Sequence, residues 1–137
     1  MKPDEQRLLQ AAREAASRAY APYSRFPVGA ALEAEDGRIF TGGNVENASY
    51  GLAVCAERSA VFQAVSAGCR RFTRIAIVAG TGKAPAPPCG ACRQVLAEFA
   101  DPSFECLLAT LDRPDFIRRF TLADLLPHPF SLDIPRA

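Results

Sequence analysis

The 137-residue sequence predicts an α/β fold in three layers, α-β-α, with a mixed sheet between helices. Three observations carry that expectation. Segments with helical spacing of apolar residues alternate with short apolar runs of strand length. An Asp-Gly pair joins the first two of those runs, which makes them an antiparallel hairpin. Helices separate the later runs, and right-handed crossovers should then set the two cysteine-bearing helices side by side on one face.

Asp4 suits the cap of a helix running to about Tyr20, with Leu8, Leu9, Ala12, Ala15, Ala16 and Ala19 as a small-residue stripe. Ala21-Pro22-Tyr23-Ser24 ends it. Val28 to Ala34 and Arg38 to Gly42 read as strands joined through Asp36-Gly37. Cys55 to Ala67 is helix-like, stopped by Gly68. Ile75 to Ala79 reads as a buried strand. A proline-rich loop, Lys83 to Pro88, feeds a helix from Cys89 to Phe99. Phe104 to Thr110 is another strand, and a short helix near Leu122 to Leu126 precedes an extended tail.

The length suits one domain spanning 1–137, and no repeat or linker divides it. With 49% hydrophobic and 23% charged residues, the composition gives no case for disorder. A net charge of +1, without a basic stripe, speaks against a nucleic-acid polymer as partner but not against a nucleoside. No apolar run approaches the roughly 20 residues of a membrane span. The polar start, Met1 to Arg7, lacks a secretory signal, so a cytoplasmic protein is expected. Five cysteines in such a chain suggest metal or free thiols before disulfides.

The chemistry concentrates in Cys55-Ala56-Glu57 and Pro88-Cys89-Gly90-Ala91-Cys92. Three thiolates plus an open position is the pattern of a catalytic zinc, whereas structural sites close with four ligands. Cys89 and Cys92, three apart, share one helix face. All three cysteines fall at helix starts, where free N–H groups favour thiolates. Glu57 lies too far round from Cys55 to point along the same vector, but can serve the fourth position as a base. Zinc can lower the pKa of water from about 15.7 to about 7, worth about 12 kcal/mol. Three thiolates leave the metal less positive, and helix N-termini restore only about 0.3–2 kcal/mol each. Arg58 offsets more thiolate charge. A carboxylate that accepts the water's proton therefore matters, and Glu57 takes that role. Arg58 and Gln94 are also placed to tune the metal from beside its ligands.

Several segments together carry a family resemblance: Tyr20 to Ser24, Phe26 to Leu32, Asn44-Val45-Glu46-Asn47-Ala48-Ser49-Tyr50, Cys55 to Arg58 and Pro88 to Gln94. From about Tyr20 to Phe130 the sequence resembles the small, homotetrameric type of cytidine deaminase. Cys55 stands where polynucleotide deaminases have histidine. The resemblance implies zinc-dependent hydrolytic deamination of cytidine and deoxycytidine to uridine and deoxyuridine plus ammonia, a pyrimidine-salvage reaction, with one Zn2+ per subunit. It implies that Glu57 takes a proton from water, passes it to N3 and later protonates the departing amino group. It places Asn44 and Glu46 on the ribose 3′-hydroxyl, which cannot distinguish sugars differing at 2′. It also places Phe26 on the pyrimidine face and the Ala56 backbone amide on the base. Phe130 matches an aromatic that enters a neighbouring subunit's site, so a homotetramer with shared active sites is implied.

Read without the resemblance, alternatives stand beside these roles. Asn44 could stabilise the turn after Gly42-Gly43 with Glu46 solvated. Phe26 next to Pro27 reads as core, and Phe130 as a tail pinned to its own subunit. His128, between two prolines, reads as exposed loop. Cys69 and Cys106 read as small buried or loop thiols, and Arg70-Arg71 and Arg118-Arg119 as solvated surface. A blasticidin-type deaminase shares the zinc and glutamate motifs, but the Asn44 to Ser49 stretch speaks against it. A structural zinc module leaves Glu57 without purpose. A thiol redox protein using Cys89 and Cys92 does the same to Cys55 and Glu57.

Overall fold

The Asp36-Gly37 turn starts the sheet. A computed structural model describes residues 3–132. In it Gly37 takes φ 92°, a left-handed conformation that glycine adopts without strain. The Ala34 amide donates to the Arg38 carbonyl at 2.8 Å, and Asp36 Oδ1 accepts from the Arg38 amide at 3.1 Å. β1 (Val28–Ala34) and β2 (Ile39–Gly43) thereby pair antiparallel.

β3 (Phe72–Ala79) pairs antiparallel with β1, and β4 (Glu105–Ala109) lies parallel to β3. A further strand, β5 (Arg118–Thr121), closes the edge antiparallel to β4, giving the order β2-β1-β3-β4-β5. The parallel step is spanned by α3 (Gly90–Ala97), as a parallel connection requires. Alternation along the strands sorts two cores. Ala31, Ala76, Val78, Leu107 and Ala109 face Leu8, Leu9 and Ala12 of α1 (Pro3–Ala16). Ala30, Leu32, Ile75, Ile77, Cys106 and Leu108 face α2 (Ala56–Ser66), Leu96 of α3, and Leu122 of α4 (Leu122–Leu125). The three layers and the two cysteine-bearing helices on one face are as the sequence predicts.

Glycines set how close those helices come. A Cβ at Gly29 would lie 1.8 Å from the Ala12 carbonyl oxygen, on the α1 side. One at Gly42 would lie 2.7 Å from the Ala60 nitrogen, on the α2 side. Both helices therefore rest directly on strand backbone.

Five sequence expectations need correction. α1 ends at Ala16 rather than Tyr20. The Tyr20 amide donates to the Asn44 carbonyl at 2.9 Å, and its carbonyl accepts from the Glu46 amide at 2.8 Å, so it serves a bridge rather than a helix. Asp4 lies inside the first turn, behind Pro3, and pairs with Arg74 instead of capping. β3 begins at Phe72, because pairing with Ala34 extends it beyond its apolar stretch. β5 went unrecognised because Arg118-Arg119 reads as polar surface. Arg118 lies over the Phe120 ring at 5.2 Å, and Arg119 Nη2 meets Glu5 Oε1 at 2.9 Å. Likewise Arg70 Nη1 donates to the Val65 carbonyl at 2.8 Å, closing the end of α2. Among the described residues, no helix is long and apolar enough to cross a membrane.

Candidate metal centre

Cys55 is the N-cap of α2, and Cys89 is the N-cap of α3. Neither side chain makes an N-cap hydrogen bond, and both thiols project between the two helix starts. Cys92, one turn into α3, joins them. The three sulfurs lie within 4.8 Å of one another, with Cys89 and Cys92 at 3.5 Å. Tetrahedral zinc at about 2.3 Å from each sulfur would space them by about 3.8 Å, so the cluster fits that ion. An all-sulfur donor set suits zinc over the hard cations.

The thiols are not equivalent. Burial works to raise the Cys89 pKa, but the Cys92 and Ala91 amides and the neighbouring sulfurs outweigh it, and the thiol is lowered. Burial and the Glu57 charge push Cys92 up. A divalent cation among the sulfurs reverses that balance by favouring thiolate. Arg58, one turn past Cys55, points its Nη2 at Cys55 Sγ at 3.3 Å. Its Nε is buried, with no hydrogen-bond partner among the described residues.

Glu57 is buried, with 6% of its surface exposed, in the first turn of α2. Burial pushes its carboxyl above the usual range. Its own amide, the Cys92 side chain and the Arg58 charge pull partly back. A carboxyl shifted in that direction gives up its proton less readily than an exposed one, which suits a group that both accepts and donates protons. Ala56 is fully buried as the first residue of α2, so its amide is one of the first-turn donors without an intrahelical acceptor. Below them, burial drives the Cys106 thiol up to about 12, which leaves it an inert core group.

The loop between α1 and β1 is held by two side chains that follow β2. Asn44 Oδ1 accepts from the Val28 amide at 2.9 Å, and its Nδ2 donates to the Phe26 carbonyl at 3.1 Å. Glu46 Oε1 accepts from the Tyr23 and Ser24 amides at 3.0 and 3.1 Å, and Oε2 accepts from Ser24 Oγ. The two side chains that the family resemblance assigns to the ribose are engaged here in shaping the loop. Arg25 is held at φ 57°, an uncommon conformation for a non-glycine residue. Phe26 is 44% exposed, so it is not core, and its ring packs over Gly80 at the end of β3. A cleft of about 320 Å³ opens beside the loop, lined by Tyr23, Ser24, Glu46, Asn47, Tyr50 and Ala53.

Gln94, expected near the thiolates, has a different partner. Two residues past Cys92 it points about 200° round the helix, away from the metal face. Its Nε2 donates to the Phe130 carbonyl at 2.8 Å, and its Oε1 accepts from the Phe130 amide at 3.1 Å. The Phe130 ring is 69% exposed. His128 is exposed, Cys69 is buried with Arg38 Nη2 2.9 Å from its sulfur, and neither joins the cluster. Sequence reasoning missed Arg93. Its Nε donates to the Pro88 carbonyl at 2.7 Å and its Nη1 to the Leu125 carbonyl at 2.8 Å, tying the cysteine loop to the end of α4. An arginine directly after a ligand cysteine was the available signal.

Comparison with known proteins agrees with this geometry. Residues 2–107 match the family profile described as the cytidine and deoxycytidylate deaminase zinc-binding region. The chain is 50% identical to the cytidine deaminase of Sporosarcina psychrophila, over 93% of this chain and 92% of that one. It is 48% identical to the cytidine deaminase of Mycobacterium tuberculosis, over 91% and 89%. The crystal structure of cytidine deaminase from Burkholderia pseudomallei superposes with a TM-score of 0.85 at 48% identity, covering 95% of this chain and 100% of that one. A buried carboxyl beside three clustered thiols, on a fold shared at this level of identity, places the chain in the cytidine and deoxycytidylate deaminase family.

Proposed function

We propose that the chain hydrolyses the exocyclic amino group of cytidine and deoxycytidine, releasing ammonia and leaving uridine and deoxyuridine. Cys55, Cys89 and Cys92 hold one zinc ion, and Glu57 moves the protons. The observation that carries this reading is the buried Glu57 carboxyl beside three sulfurs that lie within 4.8 Å of one another. When bound, zinc polarises water and makes it acidic enough to attack near neutral pH. Glu57 accepts the attacking water's proton and delivers it to N3 of the ring. The carboxylate then takes the remaining proton of the new C4 hydroxyl and, as the C4–N bond breaks, passes it to the departing amino group, so that ammonia leaves and C4 becomes a carbonyl. Burial raises that carboxyl's pKa, which favours its holding a proton between the two transfers. The Arg58 guanidinium against Cys55 withdraws thiolate charge, so that the metal keeps its acidifying power.

The Ala56 amide binds the base, and the Phe26 ring lies on the pyrimidine face. Asn44 and Glu46 meet the ribose 3′-hydroxyl. Glu46 has four lone-pair sites and accepts three hydrogen bonds from the loop, which leaves one for a sugar. A reader of the 3′-hydroxyl admits both sugars. The family members that the chain matches bear the name cytidine deaminase, consistent with pyrimidine salvage, and we place the chain in the cytoplasm. We assign it as a single domain that assembles into a homotetramer, in which Phe130 completes a neighbour's site. The exposure of Tyr50, Leu52, Phe62 and Phe130 supports an assembly that covers them.

One experiment tests both chemistry and assembly. Glu57→Gln should keep about one zinc per chain while cytidine turnover, followed by loss of absorbance, falls by about 10⁴. Refolded together with Phe130→Ala chains, it should yield more activity than either parent supplies. A fully active Glu57→Gln refutes the acid–base role. Mixed assemblies without any gain refute shared sites.

A further inference from the structure

Among the described residues, the stretch 127–132 is hydrogen-bonded at one point. Residues 127–132 are all exposed except for what α3 touches, and Pro127 and Pro129 bracket His128. Each proline lacks an amide hydrogen, so neither can donate to a supporting element. Among the described residues, the hydrogen bonds of this stretch run to Gln94 alone. The Gln94 carboxamide donates to the Phe130 carbonyl and accepts from the Phe130 amide, engaging both polar groups of one residue's main chain. That two-way contact holds the main chain of Phe130 at both its polar groups, while the residue stays 69% exposed. Glutamine supplies the donor and the acceptor from one planar group; a carboxylate of the same length supplies acceptors alone.

We propose that Gln94 is a positioning residue, whose amide sets the Phe130 ring at the height where it meets the pyrimidine of the neighbouring subunit's substrate. This rests on the reading of Phe130 given above. The assignment links three consecutive positions of α3 to three separate tasks. Cys92 binds the metal, Arg93 ties down the cysteine loop, and Gln94 presents the tail. The helix that holds one subunit's zinc would thereby also register the aromatic contact made in the next subunit. Because Gln94 turns away from the sulfurs, its effect should fall on substrate binding and leave the metal alone.

The test is a double-mutant cycle on the zinc-loaded, assembled enzyme. Gln94→Ala should raise KM for cytidine roughly ten-fold, with kcat within about two-fold and zinc content unchanged. Gln94→Glu, which keeps one of the two contacts, should give an intermediate KM. Hydrogen exchange at the Phe130 amide should quicken in Gln94→Ala, since its acceptor is gone. Phe130→Ala should raise KM at least as much, and adding Gln94→Ala to it should change nothing further. If Phe130→Ala raises KM while Gln94→Ala leaves it unchanged, or if the two effects add, the positioning role is overturned. If Phe130→Ala itself leaves KM unchanged, the reading of Phe130 fails and the proposal fails with it. Loss of zinc from Gln94→Ala would overturn it as well, by showing that the residue acts through the metal.

Discussion

Replacing Gly42 by alanine perturbs the metal centre from beneath, without touching a ligand. The new Cβ would lie 2.7 Å from Ala60 N and Ser59 Cβ, and 2.8 Å from the Ala56 carbonyl oxygen. Carbon atoms in contact sit at roughly 3.5 Å, so α2 must lift by about 0.8 Å at its first turns. Those turns carry Cys55, Glu57 and Arg58, whereas Cys89 and Cys92 stay with α3. Metal–ligand distances tolerate only about 0.2 Å. Zinc affinity should therefore fall by roughly ten- to hundred-fold, with stability lowered by about 1–3 kcal/mol from overpacking. Competition against a chromophoric chelator measures the first and thermal unfolding the second. Gly29→Ala is the matched control. Its Cβ strikes Ala12 at 1.8 Å on the opposite face, so it should destabilise at least as much while the folded fraction keeps its zinc affinity. Equal zinc affinities in the parent and in folded Gly42→Ala would refute the idea that backbone contact at Gly42 sets the position of α2.

Two further outcomes are expected. Arg93→Ala should lower stability by about 1.5–3 kcal/mol, since it removes charged hydrogen bonds to the Pro88 and Leu125 carbonyls. Arg93→Lys should rescue little, because an ammonium lacks the fork; thermal unfolding that shows full rescue would defeat this account. Glu46 is held below the usual carboxylate range by the Ser24 hydroxyl first and then by the Ser24 and Tyr23 amides. A depressed folded-state pKa stabilises above the unfolded value and is lost as pH falls through the folded one. KM for cytidine should then stay flat down to about pH 4.5 and climb only below it, a limb absent from Glu46→Gln. A KM profile that already climbs near pH 6 would contradict this.

The parts of this protein legible in its sequence are those fixed by short-range rules. Cys55 and Cys89 stand at N-caps because helix starts carry their own signatures, and Gly37 and Gly68 mark turns by the backbone conformation they permit. The alternation in β1, β3 and β4 gives both faces of the sheet. What escaped depends on partners distant in the chain. β5 is a strand because β4 offers an edge, although Arg118-Arg119 looks like surface. α1 stops at Ala16 because Tyr20 is claimed by Asn44 and Glu46. At the site, residue types and spacing were enough to collect the three sulfurs and Glu57. Phe130, the partner of Gln94, and Leu125, one of the two partners of Arg93, lie 36 and 32 residues downstream, beyond what periodicity can reach.

The cysteine triangle has a consequence for folding as well as for chemistry. Cys55 precedes β3 in the chain and Cys89 and Cys92 follow it, so a metal bound to all three closes a loop of about 35 residues. Closing such a loop removes on the order of 4 kcal/mol of chain entropy from the unfolded state, by the reckoning used for a disulfide. For a chain of 137 residues that is a large share of the usual 5–15 kcal/mol margin. The zinc of this enzyme is then a reversible cross-link, and the protein's lifetime in a cell is tied to how much free zinc that cell maintains.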